Sequence, residues 1–177
     1  MCLVYNHWVR LGILYNVIFP IWVLMFWPTP PVILLTLLGN LVIDGLVVFL
    51  TLLAMKHPAK GNVLRGCWWK VWLLGFLSDL IGALWLALGM LGAWALEAGG
   101  AGWVSGFAMA MTLDPFRHPL ALLWTAIGAA IAGACIYLFD RRVFRRVPEL
   151  DQRQGRILAL TMAVVTAPWL FFIPMYA

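Results

Sequence analysis

Long apolar runs, separated by short polar segments, are the main pattern along this chain. A membrane-spanning α-helix needs about 20 mostly apolar residues, within a range of about 17–25. Five runs meet this requirement, so the pattern predicts an all-α fold with five transmembrane helices in a single domain over 1–177. The predicted helices cover about 11–27, 32–55, 71–96, 120–139 and 157–173.

Prolines mark several of the predicted helix ends. The first helix should end at Pro28 and Pro30, and the second before Pro58, because proline cannot continue a helix. Pro168 lies inside the fifth helix and should kink it or shorten its last turn. No small-x-small cleavage site follows the first run, which we therefore expect to be a retained helix rather than a signal peptide.

Composition supports a membrane protein. Hydrophobic residues make up 64% of the chain and charged residues 11%, whereas a soluble domain carries roughly 45–50% apolar and about 25% charged residues. A water-soluble fold could not cover its surface with so few polar groups. The net charge of +5 comes from basic residues beside the apolar runs, so we expect it to set topology and not to bind nucleic acid.

The basic residues also predict an orientation. In the five-helix layout, 11 of the 12 lysines and arginines fall on one side, and only Arg117 falls on the other. The positive-inside rule makes the rich side cytosolic, with the N-terminus inside and the C-terminus outside. The cytosolic set is Arg10, Lys56, Lys60, Arg65, Lys70, Arg141, Arg142, Arg145, Arg146, Arg153 and Arg156.

Aromatic residues agree with this layout, because amphipathic rings favour the headgroup region. We expect most tryptophans to be interfacial anchors, with Trp22 and Trp85 lying deeper and packing inside the bundle. The expected cytosolic anchors are Trp8, Trp68, Trp69, Trp72 and Tyr137, and the expected outer ones are Trp27, Trp94, Trp124 and Tyr176.

The outer loop over 97–119 contains the apolar stretch GFAMAMTL, which is too short to span. It is either a short helix in the membrane interface or a re-entrant segment beside a cavity, and the first is favoured. Asp114, Arg117 and His118 close this loop. We expect them to form local ion pairs or caps, with catalysis as the lesser alternative.

Two acids inside apolar runs, Asp44 and Asp79, are the most informative residues. An ionised carboxylate at the bilayer centre costs about 2.5–3.5 kcal/mol on insertion scales, so such groups face the bundle interior or water and need partners. From the predicted cytosolic helix ends, Asp44 lies roughly 16 Å deep and Asp79 roughly 12 Å deep. Similar depth on consecutive helices would let the two carboxyls meet.

Helical phase groups further residues with these acids. The second helix carries one polar stripe within an arc of about 80°, to which we add Asn16 and Ser78 as candidate members of an ion-binding or polar network. The stripe is Thr36, Asn40, Asp44 and Thr51. Small residues that permit close helix packing are Gly75, Gly82, Gly89 and Ala93 on the third helix, and Ala121, Ala129 and Gly133, with Thr125, on the fourth.

Four interpretations of the acid pair stay open. The acids fix helix packing, or they form a proton or cation site of a transporter or channel component. Alternatively, they bind a basic residue of a partner helix in an assembly subunit, or they serve an intramembrane aspartyl protease. The protease is disfavoured because its Tyr-Asp and Gly-x-Gly-Asp motifs are missing. We therefore predict a non-enzyme.

Other chemistry is not indicated. Cys2, Cys67 and Cys135 show no C-x-x-C spacing, and the histidines are spread over both predicted sides, so no metal site is expected. No P-loop or dinucleotide fingerprint occurs, so no cofactor is expected. The expected partners are the lipid bilayer and either further copies of this chain or a larger membrane complex.

Three stretches resemble a group of small bacterial multi-pass membrane proteins of no known activity. They are YNVIFPIWVL (Tyr15 to Leu24), NLVIDGLVV (Asn40 to Val48) and VWLLGFLSDLIGALWL (Val71 to Leu86). The resemblance covers about the first half of the chain. It implies the bacterial inner (cytoplasmic) membrane and assigns no functional residues.

Overall fold

The computed structural model describes residues 30–100 and 102–174, and the predicted first helix at 11–27 lies outside them. All regular structure within the described ranges is helical, which confirms the all-α prediction for that part of the chain. The α-helices are α1 (Pro30–Ala54), α2 (Lys60–Ala98), α3 (Ser105–Leu113), α4 (Pro119–Phe144) and α5 (Gln152–Val165).

Four helical stretches within the described residues are long and apolar enough to cross a membrane: Leu37–Ala54, Lys60–Ala98, Pro119–Phe144 and Gln152–Phe172. Large apolar side chains cover much of their outer surface, with Val42 67% exposed and Leu88 64% exposed. Soluble monomers rarely expose contiguous apolar patches larger than a few hundred Å². Such a surface suits lipid, in agreement with the predicted multi-pass membrane protein.

The end of α1 forms a regular helix C-cap. Lys56 has a positive φ of 53°, its N–H donates to the Leu53 carbonyl at 3.0 Å, and the His57 N–H donates to the Leu52 carbonyl at 3.0 Å. This pair of bonds is the Schellman arrangement, which is usually built on glycine, and Pro58 follows it as expected. The second predicted helix therefore ends close to its predicted position.

Helix α2 begins at Lys60, eleven residues before the predicted start at 71. The reason is the apolar spacing of Val63, Cys67 and Val71, which are all buried and continue one helix face at intervals of four. Arg65 and Lys70, which lie between them, project from the other faces. At about 1.5 Å per residue, α2 is roughly 58 Å long and exceeds the roughly 30 Å hydrocarbon core.

The remaining helices also differ from their predicted bounds. Helix α4 continues five residues beyond 139, and α5 begins five residues before 157, where Asp151 and Gln154 form a reciprocal capping box. Helix α5 ends at Val165, and a 3₁₀ turn over Trp169–Phe172 follows Pro168. The proline thus shortens the helix, as its position predicted.

The segment between α2 and α4 contains a short helix, α3, between two 3₁₀ turns. Asp114 caps the second turn by accepting from the Phe116 N–H at 3.0 Å, and it pairs with Arg117 at 3.3 Å. The predicted local ion pair and cap are therefore present. That this segment lies in the membrane interface, rather than re-entering the membrane, stays a prediction.

Internal contacts divide the chain into two compact units. That the chain forms a single domain stays a prediction. One unit, here the acid-bearing unit, comprises Leu37–Gly82 and Ala129–Pro168. Its core includes Leu52, Ile136 and Phe144. The other, here the tryptophan unit, includes Ala83–Gly128, where Ala93, Val104 and Ala108 pack together.

Candidate functional site

The acid-bearing unit brings together carboxyl groups from three helices: Asp44 on α1, Asp79 on α2 and Asp140 on α4. Asp44 is 8% exposed and Asp140 1% exposed, while Asp79 is half-buried. The charge of Asp44 interacts with those of both other acids. The pair expected from depth and phase thus has a third member.

Asp44 approaches α2 at a glycine. A Cβ atom added to Gly75 would lie 3.5 Å from the Asp44 Oδ2, so the carboxyl of α1 lies against the backbone of α2. Gly75 precedes Asp79 by four residues, which places both on one face of α2. The small residue next to the acid therefore allows the two helices to bring their carboxyls into electrostatic range.

Most oxygens of the second and third acids lack hydrogen bonds. The Oδ1 of Asp79 and both carboxyl oxygens of Asp140 are buried without a hydrogen-bond partner among the described residues. A buried polar group left unsatisfied costs about 1–3 kcal/mol, and more if charged. These oxygens are thus available to a cation or a proton.

The Cys67 thiol is a further ionisable group near Asp140. Cys67 interacts electrostatically with both Asp140 and Lys70, and its Sγ donates to the Val63 carbonyl at 3.0 Å. The ammonium group of Lys70 lies 5.7 Å from the centre of the Trp69 ring. Within the described residues, no group of three histidine, cysteine or acidic side chains is placed to hold a metal ion.

The other predicted polar residues are placed less centrally. Asn40 is half-buried, and the buried Ser78 donates from Oγ to the Leu74 carbonyl at 2.8 Å, which satisfies it within its own helix. Thr36 belongs to α1, and Asn16 lies outside the described residues. The structure thus places the three acids, rather than the amide and hydroxyl groups, at the centre of the candidate site.

The small residues predicted for close packing are found in both units. In the acid-bearing unit, Gly82 is buried, Ala129 is 9% exposed, and a Cβ at Gly133 would lie 3.4 Å from the Ala163 carbonyl oxygen. In the tryptophan unit, Ala93 is 3% exposed and Gly89 is buried. That these small residues serve close packing between helices stays a prediction.

A reciprocal tryptophan pair lies in the tryptophan unit. The rings of Trp85 and Trp124 stack with centroids 4.3 Å apart, and each indole N–H donates to the carbonyl of the other tryptophan, at 3.2 and 3.0 Å. Gly89 lies under Trp124 and Gly128 under Trp85. Trp85 packs inside the unit as predicted, whereas Trp124 is a packing residue and not simply the expected interfacial anchor.

Asp140 is the residue that sequence reasoning missed. It precedes Arg141 and Arg142 and falls one residue beyond the predicted helix, which ends at 139. A usable signal exists, because Ala132, Ile136 and Phe144 are buried and lie at intervals of four from Asp140. That spacing places the acid on the packed face of α4.

Comparison of the chain with protein-family models, with curated proteins and with solved structures found no match in any of the three. The resemblance to small bacterial membrane proteins therefore stays a prediction.

Proposed function

We propose that this chain is a multi-pass membrane protein with a proton-responsive site formed by Asp44, Asp79 and Asp140, acting as a transporter or channel component. The four apolar helical stretches and their exposed leucines and valines support the membrane location. The proposed orientation has the N-terminus in the cytosol, from the 11:1 division of basic residues. The proposed membrane is the bacterial inner membrane.

One observation carries the proposal: Asp140 is 1% exposed, yet neither of its carboxyl oxygens has a hydrogen-bond partner among the described residues. A buried carboxylate is tolerated only if it is neutralised or paired. Ionisable groups in membrane-spanning helices are by default functional candidates, and chains of acids mark proton paths.

A proton fits this site better than a metal ion or a partner's side chain. Metal binding needs several converging ligands, and the described residues hold no such group of three. A basic side chain from another protein would have to reach Asp140 through a surface that leaves it 1% exposed. A proton needs neither a ligand cage nor an opening of that size, and Asp44 lies within electrostatic range of both other acids.

The decisive experiment measures proton flux in proteoliposomes with a trapped pH-sensitive dye and an imposed pH gradient. The variants are Asp44→Asn, Asp79→Asn and Asp140→Asn, which keep side-chain shape and remove the titratable group. Glu149→Gln is the matched control, because Glu149 is an exposed acid of the same unit. We expect the three Asn variants to lose proton flux and the control to keep it. Wild-type flux in all three variants would overturn the proposal.

An assembly subunit is the second candidate, and the half-buried position of Asp79 favours it. A basic residue on a partner helix could reach this half-buried acid from the surface of the unit and pair with its carboxyl group. Purification in mild detergent tests this. Loss of a co-purifying protein from a folded Asp79→Asn variant, with proton flux absent from the wild type, would favour the subunit.

A further inference from the structure

A cleft of about 470 Å³ lies within the acid-bearing unit, between the end of α4 and the start of α5. Ligand pockets typically measure about 300–1,000 Å³, so the cleft can hold a small molecule or a lipid headgroup. Its lining is Arg141, Phe144, Arg145, Leu150, Asp151, Gln152, Gly155 and Arg156.

Positive charge is concentrated in this cleft. Three arginines line it against one carboxylate, and that carboxylate, of Asp151, already accepts from the Gln154 N–H at 2.7 Å. Within the part of the chain that the structure describes, Arg117 is the one arginine in an ion pair. Arg145 follows the last residue of α4, and its N–H donates to the Arg141 carbonyl at 3.2 Å, so these two like charges lie one turn apart and repel. An anion in the cleft would remove this cost.

The position of Arg141 supports a bound anion. Its Nε is buried and has no hydrogen-bond partner among the described residues, and its guanidinium lies 5.9 Å from the centre of the Tyr137 ring. Asp140 is its neighbour in sequence, yet the two do not pair. An arginine that is held in place with free donors is suited to two-point recognition of a phosphate.

The fold brings the third arginine to the same cleft. Gly155 lies where a Cβ atom would be 3.4 Å from the Cβ of Phe144, so α5 starts close against the end of α4. The next residue, Arg156, then lines the cleft with Arg141 and Arg145. The apolar walls formed by Phe144 and Leu150 suit the carbon atoms next to a phosphate rather than water alone.

We propose that this cleft binds a phosphate group. Two sources carry this chemistry: the phosphodiester of an anionic phospholipid, and free phosphate. The lipid source rests on the proposed membrane-spanning role of α4, whose C-terminal end would then lie at headgroup depth. The phosphate chemistry does not depend on the acid site.

The remaining arginines of the same segment provide a matched control. Arg142, Arg146 and Arg153 are exposed and do not line the cleft. The cleft variant is Arg141→Gln with Arg145→Gln and Arg156→Gln, and the control variant carries the corresponding three glutamines at 142, 146 and 153. Both lose the same charge from the same stretch of chain, so any difference in binding reports position and not net charge.

The experiment measures binding to the full chain in neutral detergent micelles, with three separate probes: phosphatidylglycerol, phosphatidylcholine and inorganic phosphate. We expect wild type and control to bind at least one of the two anionic probes with equal affinity, and the cleft variant to bind it at least about tenfold more weakly, because a hydrogen bond to a charged group contributes about 1.5–3 kcal/mol. Preference for phosphatidylglycerol assigns the lipid, and cleft-dependent binding of inorganic phosphate assigns the free anion.

Equal losses in the cleft and control variants would overturn the proposal, as would equal binding of phosphatidylcholine and phosphatidylglycerol with no binding of inorganic phosphate. If the cleft variant does not fold, the pair Arg156→Gln and Arg153→Gln makes the same comparison with one arginine each, and equal affinities there would also refute it. None of these measurements uses proton flux, so failure here is distinct from failure of the acid site.

Discussion

Replacing Gly89 by alanine tests the packing of the tryptophan unit. A Cβ atom at this position would meet the Trp124 ring, with Cε2 at 2.7 Å and Cδ1 at 2.9 Å, which is closer than real Cβ contacts. The ring has little freedom to yield. It stacks on Trp85 at 4.3 Å, and its Nε1 donates to the Trp85 carbonyl at 3.0 Å.

The expected cost of this replacement combines three effects. Overpacking of a well-packed site costs about 1–3 kcal/mol, and displacement of the ring removes a hydrogen bond that contributes about 0.5–1.5 kcal/mol. Alanine in a helix interior regains about 0.5–1 kcal/mol over glycine. We expect a net destabilisation of about 2 kcal/mol, which lowers the melting temperature of a chain of this size by about 4–8 °C.

Two other glycines provide the comparison for Gly89→Ala. Gly92 lies three residues further along α2, and a Cβ there would meet nothing within 4 Å, so Gly92→Ala should stabilise by about 0.5–1 kcal/mol. The stability of Gly128→Ala should fall between those of the other two variants, because its Cβ would lie 3.1 Å from the Trp85 ring and 3.2 Å from the flexible end of Leu86.

Thermal unfolding in detergent, followed by far-ultraviolet circular dichroism, gives the melting temperatures of the three variants and so tests their expected order. The near-ultraviolet signal of the two stacked indoles reports whether the ring pair is lost in Gly89→Ala. An equal melting temperature for Gly89→Ala and Gly92→Ala would refute the close approach of Trp124 to α2. So would a destabilised Gly89→Ala variant that keeps the full indole signal.

Three further replacements have definite expected outcomes, each measured by thermal unfolding in detergent. Asp140→Leu should stabilise by about 1–3 kcal/mol, because it removes an unsatisfied buried group, and destabilisation would reveal a partner for that acid. Asp151→Ala should cost about 1 kcal/mol by breaking its capping box with Gln154, and an unchanged melting temperature would contradict this. His57→Ala should cost about 1–3 kcal/mol, because the ring donates from Nε2 to the Glu149 carbonyl at 3.0 Å. A loss under about 0.5 kcal/mol, the lower limit for one hydrogen bond, would argue against that bond.

Hydropathy predicts the existence of the helices in this chain better than their ends. A window of about 20 residues measures the thickness of the lipid core, whereas a helix stops only where its backbone hydrogen bonds stop. Helix α2 continues to Lys60 because Val63 and Cys67 give it a buried face there. The lysines around them interrupt the apolar run without interrupting the helix.

Helical phase and depth together predicted the approach of Asp44 to α2, because both follow from the regular rise and rotation of a helix. Asp140 falls one residue beyond the predicted helix and beside two arginines, so hydropathy does not place it among the acids inside apolar runs. The pairing of Trp124 with Trp85 was also beyond the sequence. Amphipathic rings favour the membrane interface in general. The two tryptophans pack closely because Gly89 and Gly128 face their rings, and this contact is known only from the structure.

The end of α4 shows why net charge alone is a poor guide to function in this chain. Consecutive residues on a helix point about 100° apart, so Asp140 faces the packed interior while Arg141 lines the cleft, and the two do not neutralise each other. In the turn that follows Phe144, Arg145 lines the cleft and Arg146 does not. A topology rule counts all of these arginines alike. Their positions divide them into a group that lines one cleft and a group that lies outside it, and this division makes the matched triple variants informative.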